Sequence, residues 1–176
     1  MPTMEMNAHL LEQLTWHWDN QARPGLDGLT DEEYFWEPVD GCWSLRPGDD
    51  GRLVADFTYP EPDPAPVTTI AWRLGHVIVG VFGERNHNHF GGPPLSYDTV
   101  EWPPTAKDAL AMLDEGYERW VAGVRSLGEN GLARPVGPAE GPFAEHPYAS
   151  LVLHIHREAI HHLAEVALLR DLYRWR

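Results

Sequence analysis

Apolar residues recur three and four positions apart along four stretches of this chain, with Pro- and Gly-rich segments between them. The first stretch, Met4 to Ala22, carries Leu10, Leu11, Leu14 and Trp18 on one side and stops before Arg23-Pro24-Gly25. Thr30 and Glu33 have the spacing of a capping box, which predicts a brief helix over 30–36. Between Asp40 and Pro66, glycines and prolines break any long helix; Arg52 to Tyr59 is either a short strand or an ordered covering loop. Trp43, Leu45, Leu53, Phe57 and Tyr59 are too apolar for this segment to be a solvated linker. A second helix is predicted from Val67 or Thr68 to about His89, apolar around most of its circumference at Ile70 to Phe82. The third follows Pro103-Pro104, is capped by Thr105 with Asp108, and runs to about Leu127 on a stripe of Leu110, Leu113, Tyr117, Trp120, Val121 and Val124. After a long Gly/Pro connection, the fourth runs from about Tyr148 to Tyr173. This pattern predicts an all-α helical bundle forming a single domain over 1–176, with minor strand content.

Composition narrows the function classes. The 176 residues carry 13 Lys+Arg against 27 Asp+Glu, a net charge of −14, so a nucleic-acid partner would need a basic patch that the sequence lacks. Cys42 is the single cysteine, which excludes an internal disulfide framework and a multi-Cys zinc site. With no leader pattern and no apolar run approaching the roughly 20 residues of a spanning helix, a soluble cytoplasmic protein without a membrane partner is expected.

Ten histidines remain to be explained, and the densest run lies on the fourth helix, at His154, His156, His161 and His162. At about 100° per residue from His154, Glu158 falls near 40°, Glu165 near 20°, His161 near 340° and His162 near 80°. The apolar arc of that helix covers roughly 60° to 240°, which sets His162 just inside the buried edge with Glu158 beside it. Two donors at i and i+4 on a core margin suit a metal inside a helical bundle, although Glu-x-x-x-His is also a common chance pairing. His156, near 200°, reads as packed. His76, in the most apolar helix, must find a partner, because burying an imidazole unpaired costs a few kcal/mol. Gly80 and Gly83 beside it leave space for a ligand or for close packing.

Thr69-Ile70-Ala71-Trp72-Arg73-Leu74-Gly75-His76, the run Arg157 to Glu165 and the run Leu168 to Tyr173 together resemble the DinB/YfiT-like superfamily. Gly41-Cys42-Trp43-Ser44-Leu45 is similar to its signature ahead of the second helix. The resemblance implies a four-helix bundle, up-up-down-down, with a divalent metal (Zn²⁺, Ni²⁺, Mn²⁺ or Fe²⁺) held by three side chains. Many members use His-x-x-x-His on the last helix, whereas Glu158 stands four before His162 here, as in the mycothiol-dependent maleylpyruvate isomerase branch. The implied ligands are therefore His76, Glu158 and His162, with His161 in reserve for a one-residue shift of register. Three ligands leave an open coordination position, where a bound water or thiolate becomes a nucleophile at neutral pH.

The resemblance thus implies an S-transferase or isomerase that uses a low-molecular-weight thiol of mycothiol or bacillithiol type on an electrophilic substrate. The competing class is a non-catalytic bundle that binds metal or ligand or dimerises, and a homodimer fits either. Arg73 and Arg157, flanking implied ligands, are candidates to hold carboxylates of such a thiol or substrate, against the plainer expectation of structural or exposed arginines.

The other candidates read as structural. Asn86-His87-Asn88-His89 lies at a helix end and is expected to be solvated, Cys42 to be buried and inert, and Trp16, Trp18 and Trp120 to pack. The Gly92 to Pro104 loop, with Tyr97 and Trp102, is placed to cover a pocket mouth, and Trp72 to wall it. No Gly-x-Ser-x-Gly elbow supports a serine hydrolase, and a di-iron carboxylate bundle would need a second Glu-x-x-His.

Overall fold

The computed structural model describes residues 5–176 and is mostly helical. Helix α1 begins as Met6–His17, continues through a π-type segment, Trp18–Ala22, and ends in the turn Arg23–Gly25. Met4, expected at its start, lies outside the described residues. The helix runs past the predicted stop because Pro24 falls in the turn that restarts after the π segment, where a missing N–H is tolerated. Helix α2 (Asp31–Tyr34) forms as its cap predicts: Thr30 Oγ1 accepts from the Glu33 N–H at 3.2 Å.

The Asp40–Pro66 region resolves into a two-stranded antiparallel hairpin, β1 (Leu45–Pro47) with β2 (Leu53–Ala55). Leu45 reaches the core, but Phe57 and Tyr59 are 70% and 88% exposed. The expectation that apolarity would bury them fails, because the residues after β2 border an open cavity.

Helix α3 runs from Ile70–His76 through a π-type segment, Val77–Gly83, to Glu84–Phe90. Thr69 caps it by accepting from the Trp72 N–H at 3.2 Å. Helix α4 (Ala106–Leu132) starts at the Thr105 cap and breaks from helical geometry at Gly128, whose φ of 56° is left-handed, just past the predicted end at Leu127. Helix α5 (Tyr148–Arg174) completes the chain.

Helix α4 packs against α1 and α3, while α5 packs against α1, α3 and α4. One hydrophobic cluster joins all four long helices, with Leu14, Leu74, Phe82, Leu113, Trp120, Val152 and Ile155 sealed from solvent. Each such side chain contributes about 1.5–3 kcal/mol by leaving water. Trp18 stacks on Tyr117 with ring centroids 3.8 Å apart, as its core spacing predicts, but Trp16 is exposed on the outer face. The end of α5 is tied down by Arg170, whose guanidinium donates to both oxygens of the buried Glu33 and to the carbonyls of Gly25 and Asp27. That clamp fixes the register of the helix that carries most of the candidate ligands. Among the described residues no helix is long and apolar enough to cross a membrane.

Candidate metal centre

His162 is the pivot of the polar group between α3 and α5. It is buried, and its Nδ1 lies 2.7 Å from Glu165 Oε2. Arg73 Nη1 also approaches Nδ1, at 3.4 Å, but the closer carboxylate assigns the ring proton to Nδ1, and in that tautomer Nε2 presents a bare lone pair. Glu158 Oε2 lies 3.4 Å from Nε2. Two acceptors then face each other with no proton between them, an arrangement that a cation, or a second proton on the ring, would resolve. Two ligands about 2.0–2.2 Å from a tetrahedral ion are themselves about 3.4 Å apart, so this spacing fits a divalent metal. Glu158 Oε1 is turned the other way, accepting from Arg157 Nε at 3.1 Å and Nη2 at 3.0 Å. Burial works to raise the Glu158 pKa, but the Arg157 hydrogen bond and the charges of His154, His162 and Arg157 outweigh it, so the carboxyl is held below its ordinary value.

His76 approaches from α3. Its ring meets that of His162 edge to face at 88°, with centroids 4.7 Å apart. Its Nδ1 is 2.6 Å from the Tyr97 hydroxyl, so a ring protonated at Nδ1 donates to Tyr97 and leaves Nε2 free. Burial, reinforced by His162 and Arg73, pushes the His76 pKa down to about 4, which leaves the neutral imidazole a metal requires. Burial, with Glu84, raises the Tyr97 phenol to about 12, so it stays protonated.

The room that the helix glycines leave is filled as the loop expectation anticipates. A Cβ on Gly75 would come within 2.7 Å of the Trp102 ring, and one on Gly80 would collide with the Tyr97 hydroxyl. These glycines seat the Gly92–Pro104 loop against α3 and hold Tyr97 on His76. The π segment begins at the residue after His76, a feature often found at functional sites.

The sequence candidates therefore fall in different places. His76 and Glu158 each meet the His162 ring, at a centroid distance of 4.7 Å and an Nε2–Oε2 distance of 3.4 Å, but the three are not among the groups whose ligand atoms all lie within 4.8 Å of one another. Arg73 is ion-paired with Glu165 at 3.0 Å, and Arg157 is a largely exposed partner of Glu158 and His154, so each arginine already has a carboxylate partner within the chain. Among the described residues, the three side chains whose ligand atoms all lie within 4.8 Å of one another are His161, His162 and Glu165. This group shares His162, but its His161 side chain is 62% exposed and its Glu165 already carries the charge of Arg73. Glu165 is the residue that sequence reasoning passed over; its position three after His162, on the same helix face, was the available signal. Of the run expected at a solvated terminus, His87 and Asn88 are exposed, but the His89 side chain is enclosed, with Nε2 2.8 Å from Glu140 and Nδ1 3.2 Å from the Tyr148 hydroxyl. The 3₁₀ segment Pro138–Phe143 folds over that helix end and encloses it. Cys42 is buried, and burial first, then Glu37, pushes its thiol pKa up, consistent with an inert side chain.

Nothing among curated proteins or solved structures matches the chain. The family model described as DinB superfamily matches residues 13–166, a span that takes in Trp72, His76, Glu158, His162 and Glu165 as well as most of all four long helices. The chain belongs to the DinB superfamily.

Proposed function

We propose that this protein is a divalent-metal-dependent enzyme of the DinB superfamily, its long helices arranged as that family's up-up-down-down four-helix bundle. In this reading His76, Glu158 and His162 hold one metal ion, and the activity is S-transfer or isomerisation with a low-molecular-weight thiol. The observation that carries it is the His162 ring, held by Glu165 at Nδ1 and facing Glu158 Oε2 across 3.4 Å at Nε2. A bound Zn²⁺, Ni²⁺, Mn²⁺ or Fe²⁺ would supply a Lewis acid that keeps a thiol deprotonated at neutral pH.

The chain's own residues do the rest. Glu165 fixes the tautomer and tilt of His162, and Arg73 in turn anchors Glu165. Tyr97 fixes His76 in the same manner from the covering loop. Trp72, stacked on His76 with centroids 5.9 Å apart, shields one side of the ring from water. The cavity beyond it, about 660 Å³, is large enough for a small electrophile.

The test is turnover of an electrophile panel with mycothiol, bacillithiol or glutathione by the metal-loaded protein. Thiol-dependent turnover that is lost in His76→Ala and His162→Ala supports the reading. Metal bound with no turnover across the panel favours a non-catalytic metal- or ligand-binding bundle.

A further inference from the structure

The cavity next to His76 has a chemistry of its own. Its wall is an arc of rings, Phe57, Trp43, Trp72, His76, Tyr97 and Trp102, in which each centroid lies 5.6–6.4 Å from the next. The hairpin supplies one end of the arc, α3 the middle and the Gly92–Pro104 loop the other end. Trp72 Nε1 donates to the Asp56 carbonyl at 2.8 Å, which locks the hairpin to α3 and fixes the indole plane. The Phe57 and Tyr59 rings, left in water at the margin, add apolar surface that a ligand would cover.

The charged side chains that line the cavity are acidic. Asp56, Glu61 and Asp98 line the cavity, and no lysine or arginine does. Asp56 is matched by Arg46 at 2.7 Å, and the nearby Arg73 is matched by Glu165 at 3.0 Å. Glu61 and Asp98 make no direct ion pair among the described residues, although Glu61 lies near enough to Arg73 to act on its charge. An aromatic wall with two carboxylates outside any direct ion pair attracts a weakly hydrated cation, because the π faces and the carboxylates act in the same direction. The Arg73 guanidinium, held by Glu165, also sits 5.3 Å from the Trp72 ring centroid.

We propose that this cavity binds a small organic cation, an alkylated ammonium group on a compact carbon frame. That such a cation is the substrate rests on the metal-dependent reading above; its binding rests on the cavity alone.

Calorimetric titration of the full chain with choline, set against its neutral isostere 3,3-dimethyl-1-butanol at low salt, tests the proposal. Each titration is run on chelator-treated and on metal-reloaded protein, with metal content measured in parallel. The expected result is at least tenfold tighter binding of choline than of the isostere in both forms. Glu61→Gln combined with Asp98→Asn, two exposed positions that leave the packing intact, should weaken choline threefold or more and leave the isostere unmoved. Trp72→Leu should abolish the preference. Equal affinity for choline and the isostere, or no choline binding by the folded protein, overturns the proposal even if metal is bound at one per chain. Choline binding by a protein that takes up no metal upholds the cation site and removes the metal-dependent reading instead.

Discussion

Replacing Arg170 by methionine should destabilise this protein more than almost any other single change on α5. Arg170 is 4% exposed and donates from Nε to Glu33 Oε1 at 2.7 Å and from Nη2 to Oε2 at 3.1 Å. Its third nitrogen serves the carbonyls of Gly25 and Asp27, which end α1 and lead into α2. A methionine side chain would fill most of the volume but strand the Glu33 carboxylate, itself 4% exposed, together with two carbonyls. Breaking a buried ion pair from one side costs about 3–5 kcal/mol, a large share of the roughly 5–15 kcal/mol that holds a typical domain. The cost comes from the uncompensated charge rather than from loss of a strongly favourable pair. The double variant Arg170→Met/Glu33→Leu should therefore recover most of the loss, staying about 1–3 kcal/mol short of the wild type because the Gly25 and Asp27 carbonyls still lack their donor. Urea unfolding at pH 7, followed by tryptophan fluorescence, measures all three proteins. A single variant that loses under about 1 kcal/mol, or a double variant as unstable as the single, would refute this account of how α5 is held.

Three further expectations concern the same helices. His156 is buried with no partner at Nε2, and burial pushes its pKa from 6.5 down to about 4. The unfolded chain takes up its proton near pH 6.5 and the folded chain only near pH 4, so this residue's contribution is intact above pH 6.5. It is lost as pH falls through that window, reaching about 3 kcal/mol, and His156→Leu should flatten this acid limb in unfolding of chelator-treated protein. Gly80→Ala should lower the melting temperature although alanine favours helix by about 1 kcal/mol, because the new Cβ displaces the Tyr97 hydroxyl from His76; a rise would contradict the packing. Glu165→Gln should weaken metal affinity by about 10–100-fold in chelator competition without abolishing it, as expected of a group that orients a ligand; complete loss would make Glu165 a ligand itself.

The sequence was most legible where local chemistry acts alone. Thr30 and Thr105 each cap a helix at the predicted place, since one hydroxyl and one backbone N–H suffice, whereas the second long helix is capped by Thr69 and so starts later than the expected Val67 or Thr68. The His76 and Glu158/His162 elements were readable because helical periodicity carries them to the α3–α5 interface. What stayed hidden depends on distant partners. Nothing near Arg170 in sequence announces Glu33, 137 positions away. Glu165 lay on the right face of α5, but only Arg73 and the His162 ring give it a task. Phe57 and Tyr59 looked like core by their apolarity, yet the hairpin carries them to a cavity margin. His89 looked solvated because its cover, Pro138–Phe143, arrives from a segment with no helical periodicity.

The central claim is that His76, rather than His161, completes the metal site with Glu158 and His162. Elemental analysis of purified wild type, His76→Ala, His161→Ala and His162→Ala, each checked for folding by circular dichroism, tests it most directly. The account predicts about one divalent ion per chain in wild type and in His161→Ala, and loss of the ion in His76→Ala and His162→Ala. Full metal content in His76→Ala with loss in His161→Ala would contradict it and assign the ion to His161, His162 and Glu165.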